Sequence, residues 1–368
     1  MTKIGLLYFR IDPIATMPKA RIRALLAEAA LQGVALVLLD PADCNPDEKT
    51  IFTKRFNGME WEQKEEALPD VVYIVGAPLL PAHAVVNTLV RENCQIIADK
   101  GVDKLKLVSI LAGSPAEGYL PPSLKIPIEA PAEMLCGFLR DHGGAVVKRA
   151  SGNQGVGLFF ITPEPAKGNW QVKSDKKFFS GSLEEAAEYV AKRISGRMQY
   201  RSYLAQRHIR SVAGDGRPAD VRVHVQRRAG GEWGVTRAYV RLAEVGMPLA
   251  NTSKGGYQGP LEGFLSQRKV RPAAEVEAEL LAAAVRISDV EDSHRPWPLC
   301  ELGIDFLIDE EDRIWLIETN TLPQSFFHEH ERAMHFLAYA KWLAQQGQQL
   351  ERVNQFMSAT AQKMPEMS

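Results

Sequence analysis

Acid and amide side chains occupy strand positions normally given to core residues in the segment Glu301-Leu-Gly-Ile-Asp305-Phe-Leu-Ile-Asp-Glu-Glu-Asp-Arg-Ile-Trp-Leu-Ile-Glu318-Thr-Asn320. Leu302, Ile304, Phe306 and Ile308 alternate with Gly303, Asp305 and Leu307. Ile314, Leu316, Glu318 and Asn320 then alternate with Trp315 and Ile317, the period-two pattern of a β-hairpin. A turn centred on Glu311-Asp312 predicts one constant register, with Asp305 opposite Glu318 and Gly303 opposite Asn320. Directly opposed Cβ atoms lie about 4.5–5.5 Å apart, so like charges there repel unless a cation stands between them. Two carboxylates and an amide oxygen on one sheet face make a hard, all-oxygen site of the kind Mg²⁺ prefers. Gly303 is expected to leave the space above that face open for a phosphate. The acidic run at 309–312 reads as a solvated, charged turn. Asp305 and Glu318, flanked by apolar residues, read as buried acids that need a partner.

A second candidate lies upstream. Gly144-Ala-Val-Val-Lys148-Arg-Ala-Ser151-Gly152-Asn-Gln-Gly155-Val-Gly157-Leu-Phe-Phe-Ile is a strand, a glycine-rich turn and another strand. It is neither a P-loop nor a dinucleotide fingerprint, since both of those run from a strand into a helix. Gly152, Gly155 and Gly157 let backbone N–H groups converge on an anion, and Lys148 sets a positive charge over it. An ordinary hairpin loop is the plainer alternative. Tyr203-Leu-Ala-Gln206-Arg-His-Ile209 is an apolar strand whose polar end can read an adenine edge through backbone groups, or simply connect two strands. Asp220-Val-Arg222-Val-His224-Val-Gln226 places four polar side chains on one face, as a half-exposed strand also would. Arg241 followed by Asn251-Thr-Ser-Lys254-Gly255-Gly256 joins a strand to a cationic glycine loop able to clamp a phosphoryl group. His328-x-x-Glu331-x-x-x-His335 has metal-ligand residue types, but an amphipathic surface helix explains it more simply.

The elements that must carry these groups can be read along the chain. The first hundred residues alternate strands (residues 3–9, 34–39, 70–76, 95–98) with helices (18–32, 82–91), predicting a mostly parallel α/β domain. A helix over 104–111 and a proline-rich connector over 118–131 follow. Strands are then predicted over 144–148, 158–162, 203–206, 220–228, 233–241, 303–308 and 313–318, with helices over 183–194 and 273–288. Residues 329–356 read as a closing amphipathic helix. The class is α+β.

Bulk properties narrow the function. The chain has 368 residues, 45% of them hydrophobic, and a net charge of −1, which gives no nucleic-acid-binding face of any size. Four cysteines without paired spacing fit a reduced compartment, with neither a zinc site nor a disulfide framework. No stretch approaches the roughly 18 apolar residues of a membrane span, and the N-terminus lacks the pattern of a signal peptide. A cytoplasmic enzyme is expected.

Taken in order, strand lysine with glycine loop, linker, Asp-x-Arg strand, Arg…Asn-x-x-x-Gly-Gly and Gly-Ile-Asp…Glu-x-Asn, the pieces resemble the ATP-grasp superfamily. They are most similar to its endospore coat-associated YheC/YheD-type branch, over roughly residues 100–330. The resemblance implies two α+β subdomains clasping ATP, preceded by a small Rossmann-like α/β pre-grasp domain. The units would be 1–103, 104–205, 206–335 and a C-terminal helix at 336–368. Lys148 and Lys104, with the loop Ser151, Gly152, Gly155 and Gly157, would meet the phosphates, and Gln206, Arg207 and Ile209 would hold adenine. Asp305, Glu318 and Asn320 would coordinate one or two Mg²⁺ (or Mn²⁺). Arg222 and Arg241 would face the transferring phosphoryl group, and Asn251, Lys254, Gly255 and Gly256 would shape the loop near the acceptor. Thr319 and Leu322-Pro323 depart from the family's usual residues and leave acceptor specificity open.

The activity implied is an ADP-forming carboxylate–amine ligase working through an acyl phosphate, on small-molecule acids and amines such as amino acids or peptides. Neither nucleic acid nor membrane is a partner in this reading, and a homodimer is compatible with it. The alternatives are a catalytically silent ATP-binding protein of a spore coat-like assembly, which would add spore association, and a small-molecule kinase on the same fold.

Overall fold

The computed structural model describes residues 1–98, 100–152, 157–174, 177–245, 256–346 and 356. Three sheets organise the chain, each built from a consecutive stretch of sequence. The first contains β1 (Lys3–Tyr8), β2 (Ala35–Asn45), β3 (Thr50–Phe56), β4 (Trp61–Ala67), β5 (Val71–Val75) and β6 (Gln95–Ala98) in the order β4-β3-β2-β1-β5-β6. β2, β1, β5 and β6 are parallel, as the alternating pattern predicts, with α2 (Lys19–Gln32) and α3 (Pro81–Asn93) as crossovers and the short α1 (Pro13–Thr16) before α2. β3 and β4 form an antiparallel hairpin in addition to the strands expected from the sequence. β3 alternates, with Ile51 and Thr53 buried, but its partner β4 is WEQKEEA, an edge strand with both faces largely in water and no hydrophobic alternation to mark the hairpin.

The second sheet contains β7 (Ser123–Lys125), β8 (Ala145–Arg149), β9 (Phe159–Glu164), β10 (Asn169–Ser174), β11 (Lys177–Gly181) and β12 (Tyr203–Arg207), in the order β11-β10-β9-β8-β12-β7. α5 (Pro131–His142) and α6 (Leu183–Met198) bury Leu135, Leu139, Ala187, Val190 and Ile194 against it. α6 starts with a capping box, in which Ser182 accepts from the Glu185 N–H and Glu185 from the Ser182 N–H. The preceding α4 (Lys104–Leu111) is capped by Asp103, which accepts from the Lys106 N–H. Residues 104–111 were expected to open the second unit. Their apolar face, Leu107, Ile110 and Leu111, packs instead into the core of the third.

That third sheet runs β15-β14-β13-β16-β17, with β13 (Ala219–Arg227), β14 (Trp233–Leu242), β15 (Tyr257–Pro260), β16 (Glu301–Ile308) and β17 (Ile314–Asn320). One face carries Val221, Val223, Val225, Leu302, Ile304 and Phe306 onto α4, α7 (Leu261–Leu265) and α8 (Ala273–Ser293). The opposite face of β13 is polar but not half-exposed: Arg222, His224 and Gln226 are all buried. α9 (Glu329–Leu343) and the connection leading into it cover that face. α9 also lays Phe336, Leu337 and Ala340 onto Ile4, Leu6 and Val71, so the chain's last described helix completes the core of its first sheet.

Among the described residues no helix is long and apolar enough to cross a membrane. Leu337 is fully buried at the contact between α9 and the first sheet. Leu337→Ala should lower unfolding free energy by about 2–5 kcal/mol in urea titration, the range for deleting a buried leucine side chain. A loss below about 1 kcal/mol would show that this contact does not hold the helix.

Candidate functional site

The hairpin β16–β17 places Asp305 opposite Glu318 and Gly303 opposite Asn320, as expected. The single register expected for it does not hold. From Phe306 outward the partners are Leu316, Trp315 and Ile314, and a bulge leaves Ile317 without a partner. The bulge is what makes the acid pair. Ile314 and Leu316 face the core, so strict alternation would have sent Glu318 inward with them. The turn differs too. Asp309 and Asp312 are buried rather than solvated, with Asp312 in the left-handed region at φ 59°. The Asp312 carboxylate takes Arg268 and the N–H groups of Val270 (3.1 Å) and Arg271 (2.9 Å), while Asp309 accepts from Trp315 Nε1 at 2.8 Å. These acids hold the hairpin tip to the segment entering α8.

Cross-strand neighbours supply the countercharge. Arg222 on β13 lies directly opposite Asp305 and binds it through Nε and, at 2.9 Å, through Nη2. Arg241 on β14 reaches Asp305 at 3.0 Å and Asp220 at 2.5 Å. The two guanidiniums hold the Asp305 carboxyl well below its usual range, at about 2, despite burial that pushes the other way. Asp220 is pushed up to about 6 by burial, with the Asp305 charge adding and Arg241 opposing. Gly303 does not leave a vacancy for phosphate. A Cβ there would lie 2.7 Å from Pro323 Cβ and 2.9 Å from Arg222 Nη1, so the missing side chain makes room for the arginine and the following loop.

Glu318 pairs with Lys104 at 3.0 Å, and the same ammonium donates to the Gly152 carbonyl at 2.9 Å. Lys104 therefore ties the third sheet to the glycine loop of the second. Lys148 is buried, donates to Gln206 Oε1 at 2.7 Å, and is depressed to about 8 by burial and by the nearby Lys104 charge, with Glu318 opposing. Gln206 in turn donates to Ser123 Oγ at 3.1 Å. Of the linker backbone donors, the Arg207 N–H is taken by the Pro122 carbonyl (2.9 Å) and the His208 N–H by the Gly144 carbonyl (3.2 Å). Among the described residues, the Ile209 N–H has no such acceptor, and the Ile209 side chain is buried. The Arg207 guanidinium lies 5.9 Å from the Trp315 ring centre.

Ser151 and Gly152 enter the loop, and Gly157 leaves it at φ 74°. Gly155, Asn251, Lys254 and Gly255 lie outside the described residues; Gly256, at their edge, is half-buried. Asn320 is exposed, and its Oδ1 accepts from the Leu322 N–H at 3.0 Å. Among the described residues no cluster of three or more His, Cys, Asp or Glu side chains has metal-binding geometry. His328 is not on a surface helix face with Glu331; it turns inward to His224.

A family model for YheC/D-like ATP-grasp proteins matches residues 93–354. The chain belongs to this family. It is 26% identical over 303 residues to the endospore coat-associated protein YheD of Bacillus subtilis (strain 168), covering 79% of this chain and 65% of YheD, slightly under two thirds of that relative. It is 22% identical over 302 residues to YheC of the same organism, covering 79% of this chain and 81% of YheC. Solved structures show the same fold. D-cycloserine synthetase DcsG superposes with TM-score 0.53 at 13% identity, over 93% of this chain and 98% of that one. D-alanyl-alanine synthetase A from Vibrio cholerae O1 biovar eltor str. N16961 gives 0.51 at 12% identity, over 97% and 99%. The YheC/D-like chain thus has an ATP-grasp fold, with mixed α and β content.

The depressed Lys148 yields a pH test. Its folded pKa of about 8 means the charge is present at pH 7 and lost as pH rises, so a polyphosphate held by it binds more weakly in alkali. ATP affinity by calorimetry should fall several-fold between about pH 7 and about pH 9, and Lys148→Arg should flatten that curve. Equal affinity at both pH values for the unmodified chain would remove Lys148 from the phosphate site.

Proposed function

We propose that this YheC/D-like protein is an ATP-dependent carboxylate–amine ligase that acts through an acyl phosphate. One observation carries the reading. Two acids on facing strands, Asp305 and Glu318, meet Arg222, Arg241 and Lys104 at the seam between the second and third sheets, with Lys148 close by. Phosphoryl transfer needs positioned cations and metal-ligand oxygens more than it needs a protein nucleophile, and that is the composition found.

The donor set fits a hard divalent cation. Asp305, Glu318 and Asn320 offer only oxygen, and Asp305 is held ionised. Bound there, Mg²⁺ would neutralise phosphate charge. Lys104 and Lys148 serve the α- and β-phosphates in this reading, and Ile209 with Arg207 the base. In this reading Arg222 and Arg241 serve the transferring group, and Asn251, Lys254, Gly255 and Gly256 are assigned to the acceptor side. A substrate carboxylate oxygen attacks the γ-phosphorus and ADP leaves. The amine nitrogen then attacks the acyl carbon, the carbon–oxygen bond to phosphate breaks, and the amine gives up a proton. The two solved structures that share the fold are named synthetases, whereas the relatives YheD and YheC are named for coat association. Those names favour a second reading, an ATP-binding coat-type protein without turnover.

ADP release measured with ATP, Mg²⁺ and a panel of amino acids and short peptides separates the two. Turnover that requires an acid and an amine together is expected. ATP binding without turnover would support the coat-type reading, and a stable phosphorylated product would indicate a kinase. Glu318→Gln should lower turnover by roughly a hundredfold or more while unfolding free energy changes by about 1 kcal/mol or less. Wild-type rates in that variant would sink the metal role of Glu318.

A further inference from the structure

Beneath the loop that follows Asn320 lies a buried polar chain that the phosphoryl chemistry does not use. His224 and His328 are both buried, and their rings meet at 2.8 Å between His224 Nδ1 and His328 Nε2. The outer nitrogens face acceptors: His224 Nε2 lies 3.1 Å from Glu301 Oε2, and His328 Nδ1 lies 3.1 Å from the Phe326 carbonyl. Glu301 is a carboxylate, because Arg332 grips both its oxygens, at 2.6 Å from Nε and also through Nη2. Its carboxyl is held far below the usual range.

The protons can be counted. The line carbonyl–ring–ring–carboxylate contains three contacts, and each needs one hydrogen between its two heavy atoms. Two neutral imidazoles bring only two. With both rings neutral, one contact must set lone pair against lone pair, whichever tautomers are chosen. The arrangement is satisfied only when the two rings carry one hydrogen more.

We propose that His224 and His328 share one extra proton and thereby pin residues 321–327 to the polar face of the third sheet, acting as positioning residues for the acceptor. The loop is built to need such a pin. Phe327 sits in the left-handed region at φ 72° while 85% exposed, a strained backbone with no side-chain burial to hold it. Its carbonyl accepts from Arg237 Nη1 at 3.3 Å, and the carbonyl before it is the one that faces His328. Pro323 lies over Gly303, the residue directly opposite His224. This loop leaves directly from the candidate metal strand, so its placement fixes what stands beside Asn320.

The charges around the pair are set by every neighbouring element. β16 gives Glu301; α9 gives Arg332, Glu329 and Glu331; β14 gives Arg237 and the Tyr239 ring, 6.3 Å from His328; β13 itself gives Arg222 and Gln226. Arg21 of α2 holds Glu329 at 3.0 Å, and Tyr73 of β5 lies near Arg332. Burial works against the extra proton, holding His224 down to about 4 and depressing His328; the charges of Arg332 and His328 oppose it further at His224 and that of Arg237 at His328, while Glu301 pulls His224 up and the Phe326 carbonyl, Glu329 and Glu331 pull His328 up. The three closed contacts decide the balance.

The loop-pinning claim stands without any activity; only the word acceptor rests on the ligase reading. In the full chain carrying ¹⁵N-histidine and ¹⁵N-phenylalanine, ring nitrogen shifts and the Phe327 amide signal should be followed from about pH 5 to about pH 9. Both rings should share a single titration step, and the Phe327 amide should move at the same midpoint. His328→Gln supplies two hydrogens on one amide nitrogen, enough for His224 and the Phe326 carbonyl, so it should keep the Phe327 signal and abolish its pH dependence. His328→Ala should shift the signal at every pH. Two neutral rings with an unchanged Phe327 signal across the range, or independent ring titrations, would overturn the shared proton. With an amine found to drive ADP release, His328→Ala should raise KM for that amine several-fold and leave KM for ATP unchanged. Equal changes in both would overturn the positioning role without touching the ligase reading.

Discussion

A carboxylate 5% exposed in the middle of a five-stranded sheet is tolerable only with cations against it, and Asp305 has two guanidiniums. Breaking such a buried pair by removing one partner costs on the order of 3–5 kcal/mol. Much of the local architecture follows from meeting that demand. Arg222 must stand directly opposite on β13, and Gly303 must lack a Cβ so that the guanidinium can lie flat beside it. Asp220 must accompany Arg241, whose charge is then divided between two acids. The Ile317 bulge must turn Glu318 to the same face. Charge, register and packing are one constraint here.

The same reasoning extends across the seam. Glu318 is neutralised from the other side by Lys104, whose ammonium also caps the Gly152 carbonyl of the glycine loop. Burial, and after it the nearby charge of Lys104, disfavours the ammonium of Lys148. A site holding Arg222, Arg241, Lys104 and Lys148 around three acids, Asp220, Asp305 and Glu318, and one exposed amide is electrostatically incomplete in a particular sense. It gains from an incoming polyanion with its divalent counterion, which would relieve the Lys104–Lys148 repulsion and give the arginines a second partner. This is the physical content of the nucleotide reading.

The N-terminal sheet takes part through packing. α9 buries apolar residues against β1 and β5 while its Arg332 and the residues before it close the polar face of β13. The loop beside Asn320 therefore sits between the two sheets, anchored by buried hydrogen bonds instead of by hydrophobic side chains. Buried polar networks of this kind are costly when incomplete and specific when satisfied. Two histidines and a Glu–Arg pair in one line make the loop's placement depend on protonation, which an apolar anchor would not do.

Much of this was legible in the sequence, since strands and helices announce themselves by period and the acid pair by its place among apolar neighbours. The parallel core of the first sheet, α4 and the strand positions of Lys148, Arg222 and Arg241 all follow from local pattern, whereas Asp305 and Glu318 face each other as expected only because a bulge at Ile317 shifts the register. The β3–β4 hairpin was not legible, because a strand wet on both faces has no hydrophobic period. Nor was the role of Asp312, whose partners lie some forty residues away in sequence at Arg268, Val270 and Arg271. His224, Glu301, His328 and Arg332 gave no usable signal singly. Glu301 and Arg332 look like ordinary charged residues until α9 folds back over β13 and removes the water. Local pattern marks which residues can bear charge on a strand. Which of those charges are buried, and what neutralises them, is set by the folded chain, because burial and pairing come from long-range contacts that no local period encodes.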